Sequence, residues 1–546
     1  MSRHLKIGLG VAGVLWLASL TGWAQESQGT SAAKAAFGQG EALREKADFA
    51  KAVAAYRKAI ELDPDFAEAH SQFIFASKMS VREAADPAKS KALLEEQTQQ
   101  LKTLYESWAQ KDPKRASYQW ALGDLNMYKD YAKVVAHAQK AVELDPQFAR
   151  AWQTLALVAE VQGDNAKQLA YLKKAADVAP ENPAYAFYYA NALKTVDPVA
   201  YEKASLQVVE RFPQHERGAQ SLYWLAFYEN ALVKKLALLE RLKTQFPVTK
   251  FNWSASGMSM LFDAYAKAAP AKALALAEEL VKAFPSGSQN KTWQGLLDFQ
   301  KNLLQARTLV NSQKFAEAVA LLDATAAPRY TDASELFLLK AAAAEGAGQP
   351  QKAYDELLRQ MVKEPTAGLR AGVNKLGAKL NKTNAQVEAD LWQALDAQAK
   401  PATDFKLKRY GADQELSLAD YRGKVVLLNF WYPFCGPCRG ENPGLQRVLK
   451  KIGPDKFVIL AVNVYPAEDE FVLPYLQGNA FDFIPLRGSE ELAEKQWGAR
   501  GYPTNFLIDP QGRTVYRLGP MRGEASERTF EMQIEMLLAR QAQPGK

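Results

Sequence analysis

Two cysteines are present in the 546-residue chain, and both fall in one tetrapeptide, Cys435-Gly436-Pro437-Cys438. A cysteine at the first turn of a helix has its thiolate stabilised by free backbone N–H groups and the helix dipole, which lowers its pKa below the free-thiol value. Cys435 is therefore the predicted nucleophile, expected to stand exposed at the helix start with Cys438 shielded behind it. Cys438 lies one turn on along the same face, placed to attack a mixed disulfide formed on Cys435 and release the product. A permanent disulfide across so small a ring would restrain little chain entropy. A zinc site would lack two ligands, since the chain has only four histidines and none is near in sequence.

A helix start needs a rigid element before it. Lys424 to Phe430 reads as a buried central strand leading to the Cys pair, with a helix from about Cys435 to Lys451 after it. A hairpin is expected from Phe405–Lys408 and Glu415–Ser417, and a strand from Phe457 to Val464. A helical insert to about Gly478, a helix near Ser489–Trp497 and strands Thr504–Ile508 and Thr514–Leu518 complete the pattern before a closing helix. The change from Ala- and Leu-rich sequence at Lys400 to Asp404 marks a boundary. Residues 397–403 are read as a linker, 404–546 as the domain carrying the chemistry. With no hydrophobic run in that linker, a fragment from about residue 398 is expected to fold alone.

Upstream, prolines end amphipathic stretches at Pro146, Pro180, Pro213 and Pro247, at spacings of 34, 33 and 34 residues. Gly40, Ala52, Tyr56, Ala59 and Pro64, and again Trp152, Leu155, Ala156, Leu172, Ala175 and Pro180, sit at the offsets of small interface residues, aromatics and terminating prolines. This pattern resembles the tetratricopeptide repeat, whose paired helices bury their apolar faces only against the next pair. Residues 33–396 are read as an all-α solenoid of eight to ten helical hairpins, slipping register near Asp86-Pro87-Ala88 and irregular after Pro285. Two aromatic clusters, Tyr185–Tyr189 and Tyr223–Tyr228, are expected to pack between helices. His70, His137 and His215 are too dispersed for a metal site and are given surface or capping roles. The resemblance implies protein binding.

Arg3, His4 and Lys6 precede an apolar run from Ile7 to Leu20, then Gly22-Trp23-Ala24 supplies small residues before a cut. Residues 1–24 thus read as a signal peptide cleaved after Ala24; the alternative is an uncleaved inner-membrane anchor. The expected compartment is the periplasm. A net charge of +7 is too dilute for nucleic-acid binding.

Trp431 through Arg439 at a strand-helix junction, the run Gly423 to Trp431, Pro443 five places beyond Cys438, and Gly501-Tyr502-Pro503-Thr504 together resemble the thioredoxin superfamily, closest in pattern to its exported TlpA/ResA branch. The resemblance covers about residues 401–546 and implies an α/β thioredoxin-like domain after the solenoid. It implies catalysis by Cys435 and Cys438 without a cofactor or metal, with Gly436 and Pro437 between them. Trp431 would pack beneath the site, and a cis Tyr502–Pro503 bond would set Pro503 against the pair. Asn429 stands where thioredoxin has a buried aspartate, and Glu468 or Glu470 is the candidate replacement proton carrier, although an exposed helix-start glutamate is the plainer reading of either. Reduction of disulfides in exported proteins is implied, with electrons from a membrane thiol reductase of the DsbD/CcdA type, since no third cysteine can relay them. The competing reading is a repeat-based scaffold or chaperone-like binder whose redox domain is incidental.

Overall fold

The computed structural model describes residues 29–84, 89–127, 129–328, 331–521 and 523–541. The leader and the Asp86-Pro87-Ala88 interruption lie outside the described residues. Two compact units are present, 1–221 with 474–479, and 222–473 with 480–546.

In the first unit the 34-residue period has a local cause at each turn. Asp48, Asp130 and Asp164 each cap a helix (Phe49–Leu62, Tyr131–Leu144 and Asn165–Val178) by accepting the N–H of the lysine three residues on. Such a cap is worth about 1 kcal/mol. The chain enters two of these caps through a left-handed residue, Ala47 at φ 57° and Gly163 at φ 72°. Where helices 31–45 and 49–62 cross, Gly40 lies under the Tyr56 ring, and a Cβ there would stand 2.5 Å from it. Only glycine permits that approach. His70 departs from the surface or capping role expected of it: it is fully buried and bonds the Tyr105 hydroxyl at 2.8 Å and the Pro64 carbonyl at 2.9 Å. His215 does act locally, its Nδ1 accepting the Arg217 N–H. Of the aromatic clusters, Tyr185 and Phe187 are buried, whereas Tyr228 in the second unit is exposed.

In the second unit helices continue to Asn384–Gln398, with the 25-residue helix Gly287–Asn311 breaking the period after Pro285. Among the described residues, twenty α-helices lie between Ser31 and Gln398, and none is long and apolar enough to cross a membrane. A mixed six-stranded sheet follows. Its strands are β1 (Lys400–Pro401), β4 (Val425–Trp431), β5 (Phe457–Asn463), β6 (Ile484–Arg487), β7 (Thr504–Ile508) and β8 (Arg513–Leu518), in the order β1-β8-β7-β4-β5-β6. A separate hairpin pairs β2 (Lys406–Lys408) with β3 (Glu415–Ser417). Strands β4 and β5, apolar except at Asn429 and Asn463, are buried at every position and pair in parallel. Strand β6 was not expected. Pro485 cannot donate to a ladder, and the sheet accommodates it by placing β6 at the edge.

The segment 397–403, expected to be a linker, is instead structured. Helix 384–398 runs almost directly into β1, which pairs with Thr514 and Arg513 of β8. Arg513 and Arg540 both bond Asp396, at 2.7 and 2.6 Å, and the buried Tyr516 hydroxyl donates to the Val362 carbonyl at 2.8 Å. The last helices before the sheet therefore cover β8. A fragment beginning at residue 398 re-exposes Tyr516 and loses this hydrogen bond, a cost of about 2–4 kcal/mol. Relative to a fragment beginning at 331, its Tm is expected to fall by roughly 10 °C. Equal melting temperatures by circular dichroism would show the covering helices to be dispensable.

Candidate active site

Strand β4 ends at Trp431, the chain turns through Tyr432-Pro433-Phe434, and helix 436–452 begins. Cys435 is the N-cap of that helix and its Sγ accepts the Cys438 N–H at 3.2 Å. Pro437 falls in the first turn, where its missing N–H is no loss. Pro443 lies inside the same helix. Cys435 and Cys438 are disulfide-bonded, with Cα atoms 5.2 Å apart. Cys435, expected to stand exposed with Cys438 behind it, is only 2% exposed, against 0% for Cys438. Its sulfur is turned inward onto Cys438, and exposure at the helix start falls on Gly436 and Pro437.

Trp431 is fully buried at the end of β4. Phe430 pairs with Thr504 across β4 and β7, so the next residue outward on β7, Pro503, stands opposite Trp431 beside the cysteine turn. The Tyr502–Pro503 bond is cis. The sheet thus brings the end of β4 and the start of the cysteine turn alongside the cis-proline loop about seventy residues away, the Tyr432 and Tyr502 ring centroids lying 5.9 Å apart.

Glu468 closes the site from the insert. Its Oε2 accepts the Phe434 N–H at 2.9 Å, one residue before Cys435, and it is only 3% exposed. An exposed helix-start glutamate is thereby ruled out for Glu468, while Glu470 faces solvent. Burial pushes the Glu468 carboxyl up to about 7, opposed by the Phe434 amide and the Arg439 charge. The turn that carries it is pinned by Asn463, whose Nδ2 donates to the Tyr465 carbonyl at 2.9 Å, the Tyr410 hydroxyl at 3.0 Å and Asp469 at 2.9 Å. Arg487 pairs with Asp469 and lies 4.1 Å from the centre of the Tyr410 ring.

A second carboxyl, missed in the sequence, lies behind the pair. Glu441 is one turn beyond Cys438 on the same helix and 2% exposed. Its Oε1 accepts from Asn429 at 3.1 Å and from Asn505 at 3.2 Å, and its Oε2 accepts the Met521 N–H at 3.0 Å. Burial pushes this carboxyl up to about 7 as well, against those three donors. Asn429 also donates to Asn505 Oδ1 at 2.7 Å. A signal was present, since Asn429 and Asn505 interrupt otherwise apolar strands, and a polar pair in a core demands partners. Three phenol rings, Tyr432, Tyr465 and Tyr502, border the cysteine turn with centroids 4.5, 5.9 and 6.3 Å apart. Among the described residues no group of three or more His, Cys, Asp or Glu side chains could hold a metal ion.

The AhpC/TSA family matches residues 399–517, and tetratricopeptide repeat families match residues 40–72 and 149–182. The chain is 32% identical over 116 residues to thioredoxin-like protein YneN of Bacillus subtilis, covering 21% of this chain and 67% of that protein. It is 30% identical over 144 residues to the thiol:disulfide interchange protein HelX of Rhodobacter capsulatus, covering 26% and 76%. To the thiol-disulfide oxidoreductase ResA of Geobacillus kaustophilus it is 36% identical over 124 residues, covering 21% and 67%. An AhpC/TSA match over all but the last residue of the sheet, relatives of this kind and a helical repeat region ahead of them place the chain among the thioredoxin-like thiol-disulfide oxidoreductases, with tetratricopeptide repeats at its N-terminal side.

Proposed function

We propose that the protein is exported and reduces disulfides in partner proteins through Cys435 and Cys438, with the repeat array recruiting those partners. The observation that carries this reading is the position of Cys435, the N-cap residue of helix 436–452, with the buried Glu468 bonding the amide just before it and the buried Glu441 one turn beyond Cys438. In the reduced enzyme the Cys435 thiolate attacks one sulfur of the substrate disulfide, forming a mixed disulfide and expelling a substrate thiolate. Cys438 then loses its proton and attacks Cys435 Sγ, expelling the second substrate thiolate and closing the Cys435–Cys438 bond. Two electrons and two protons pass from the dithiol to the substrate. Glu441, one turn from Cys438, is the group we assign to take the Cys438 proton, and Glu468 holds the Phe434 amide ahead of Cys435. Both cysteines are consumed in each turnover, so a membrane thiol reductase of the DsbD/CcdA type is the donor that restores them. The basic and apolar leader is the support for export to the periplasm.

The recruiting role is tested by mixed-disulfide trapping. With Cys438→Ser in place, a chain lacking residues 33–330 but keeping the leader and the helices that cover β8 should trap a different set of proteins from the full chain. Reduction of a small disulfide by the matching chain with both cysteines should be retained, because only effective concentration has been removed. An identical set of trapped proteins, compared by mass spectrometry, would remove the recruiting role.

A further inference from the structure

The tyrosines bordering the cysteine turn come from three separate elements. Tyr432 lies three residues before Cys435, Tyr465 follows β5, and Tyr502 precedes the cis proline. All three are half-buried, packed edge to face against one another, with Tyr432 and Tyr465 centroids 4.5 Å apart and Tyr502 5.9 and 6.3 Å from them. Tyr432 opens the cysteine turn itself, so these rings border the surface on which a disulfide docking at Cys435 would lay its flanking residues.

The charge around the rings is predominantly negative. Glu490 and Glu494, one turn apart on the short helix after β6, are both exposed. Glu490 lies against the Tyr465 hydroxyl and is felt by Tyr432 and Tyr502 also, while Glu494 is felt by Tyr502. Their neighbour Glu491 is already paired with Lys495 at 2.7 Å, whereas no ion pair holds Glu490 or Glu494 among the described residues. Glu468 faces Tyr432 from the insert side. The opposing cations are Arg439, which donates to the Pro433 carbonyl at 3.3 Å, and the exposed Arg500, two residues before Tyr502. Electron-rich ring faces beside uncompensated carboxylates attract an ammonium or guanidinium group.

We infer that Tyr432, Tyr465 and Tyr502, with Glu490 and Glu494 at their edge, form a specificity subsite for a lysine or arginine side chain adjacent to the substrate cysteine. The inference rests on the disulfide-reducing reading and narrows its substrates to polypeptides whose disulfide is flanked by a basic residue. The aliphatic stem of such a side chain packs on the rings and its charged head reaches the carboxylates, so the subsite acts on docking of the substrate and not on the sulfur chemistry.

Three disulfide-linked peptides, alike except for Lys, Ala or Glu beside the cysteine, test this with the full-length reduced protein. Wild type is expected to reduce the Lys peptide with kcat/KM about tenfold above the Ala peptide, the Glu peptide being slowest. The gap should narrow as salt is raised. In Glu490→Gln the Lys-to-Ala ratio should fall toward one, and in Glu490→Lys the Glu peptide should overtake the Lys peptide. Reading a ratio within each variant cancels any general loss of activity. A wild-type ratio near one, with bis(2-hydroxyethyl) disulfide still reduced, would overturn the subsite alone. Failure to reduce even that small disulfide would remove the reductase reading and the subsite with it.

Discussion

Replacing Cys435 by serine is expected to abolish disulfide reduction, with a loss of at least about a thousandfold, because the one remaining thiol, Cys438, is fully buried and cannot make the first attack on a substrate. Replacing Cys438 should have a different signature. The first step survives, but the mixed disulfide on Cys435 has lost its intramolecular escape, so it should accumulate as a covalent adduct. Non-reducing gels of the two variants after exposure to a disulfide protein separate the roles: Cys438→Ser should show adducts that collapse on adding a reductant, and Cys435→Ser almost none. Equal trapping by both would reverse or dissolve the assignment. In the oxidised form the two sulfurs are bonded to each other and offer no thiolate to a reagent. Alkylation should begin only after reduction, and then at Cys435 before Cys438.

Glu441→Gln carries the second large effect. The wild-type carboxyl titrates near 7 because burial outweighs the donors from Asn429, Asn505 and Met521. Only its ionised form can take the Cys438 proton, so the resolving step in wild type should quicken as pH rises from 6 to 8. The glutamine cannot accept that proton. The variant should resolve its mixed disulfide roughly a hundredfold more slowly at pH 7.5, with the limb centred near 7 flattened. Stability supplies a readout independent of chemistry. A carboxyl whose folded pKa lies above its unfolded value stabilises the fold fully below the unfolded value, near 4.5, and loses that contribution as pH rises through about 7. The stability of wild type relative to Glu441→Gln should therefore decline between pH 5 and pH 8. A constant difference, measured by denaturant unfolding, would mean that Glu441 does not titrate in this window. Glu468→Gln removes the other raised carboxyl and should change the first attack, since its contact is with the amide beside Cys435.

What could be read in the chain alone was whatever is encoded within a few residues or by a period. Cys435 and Cys438 are three apart, so a helix start is enough to align them. Prolines and capping aspartates recur about every 34 residues, so each hairpin carries its own boundaries. Strands β4 and β5 announce their burial as runs that are apolar except at Asn429 and Asn463. The environment of a side chain is not local in this sense. Glu441 owes its raised pKa to exclusion from water by elements that include Asn505, 64 residues away, and Met521, 80 residues away. Glu468 reads as an exposed helix-start residue until the insert folds it onto Phe434, 34 residues before it. Residues 397–403 read as a linker because they contain no hydrophobic run, and only tertiary packing supplies β8 as the partner of Lys400 and Pro401. Periodicity and short spacings are properties of the covalent chain, whereas desolvation and ion pairing depend on which distant segments meet, and only the folded structure decides that.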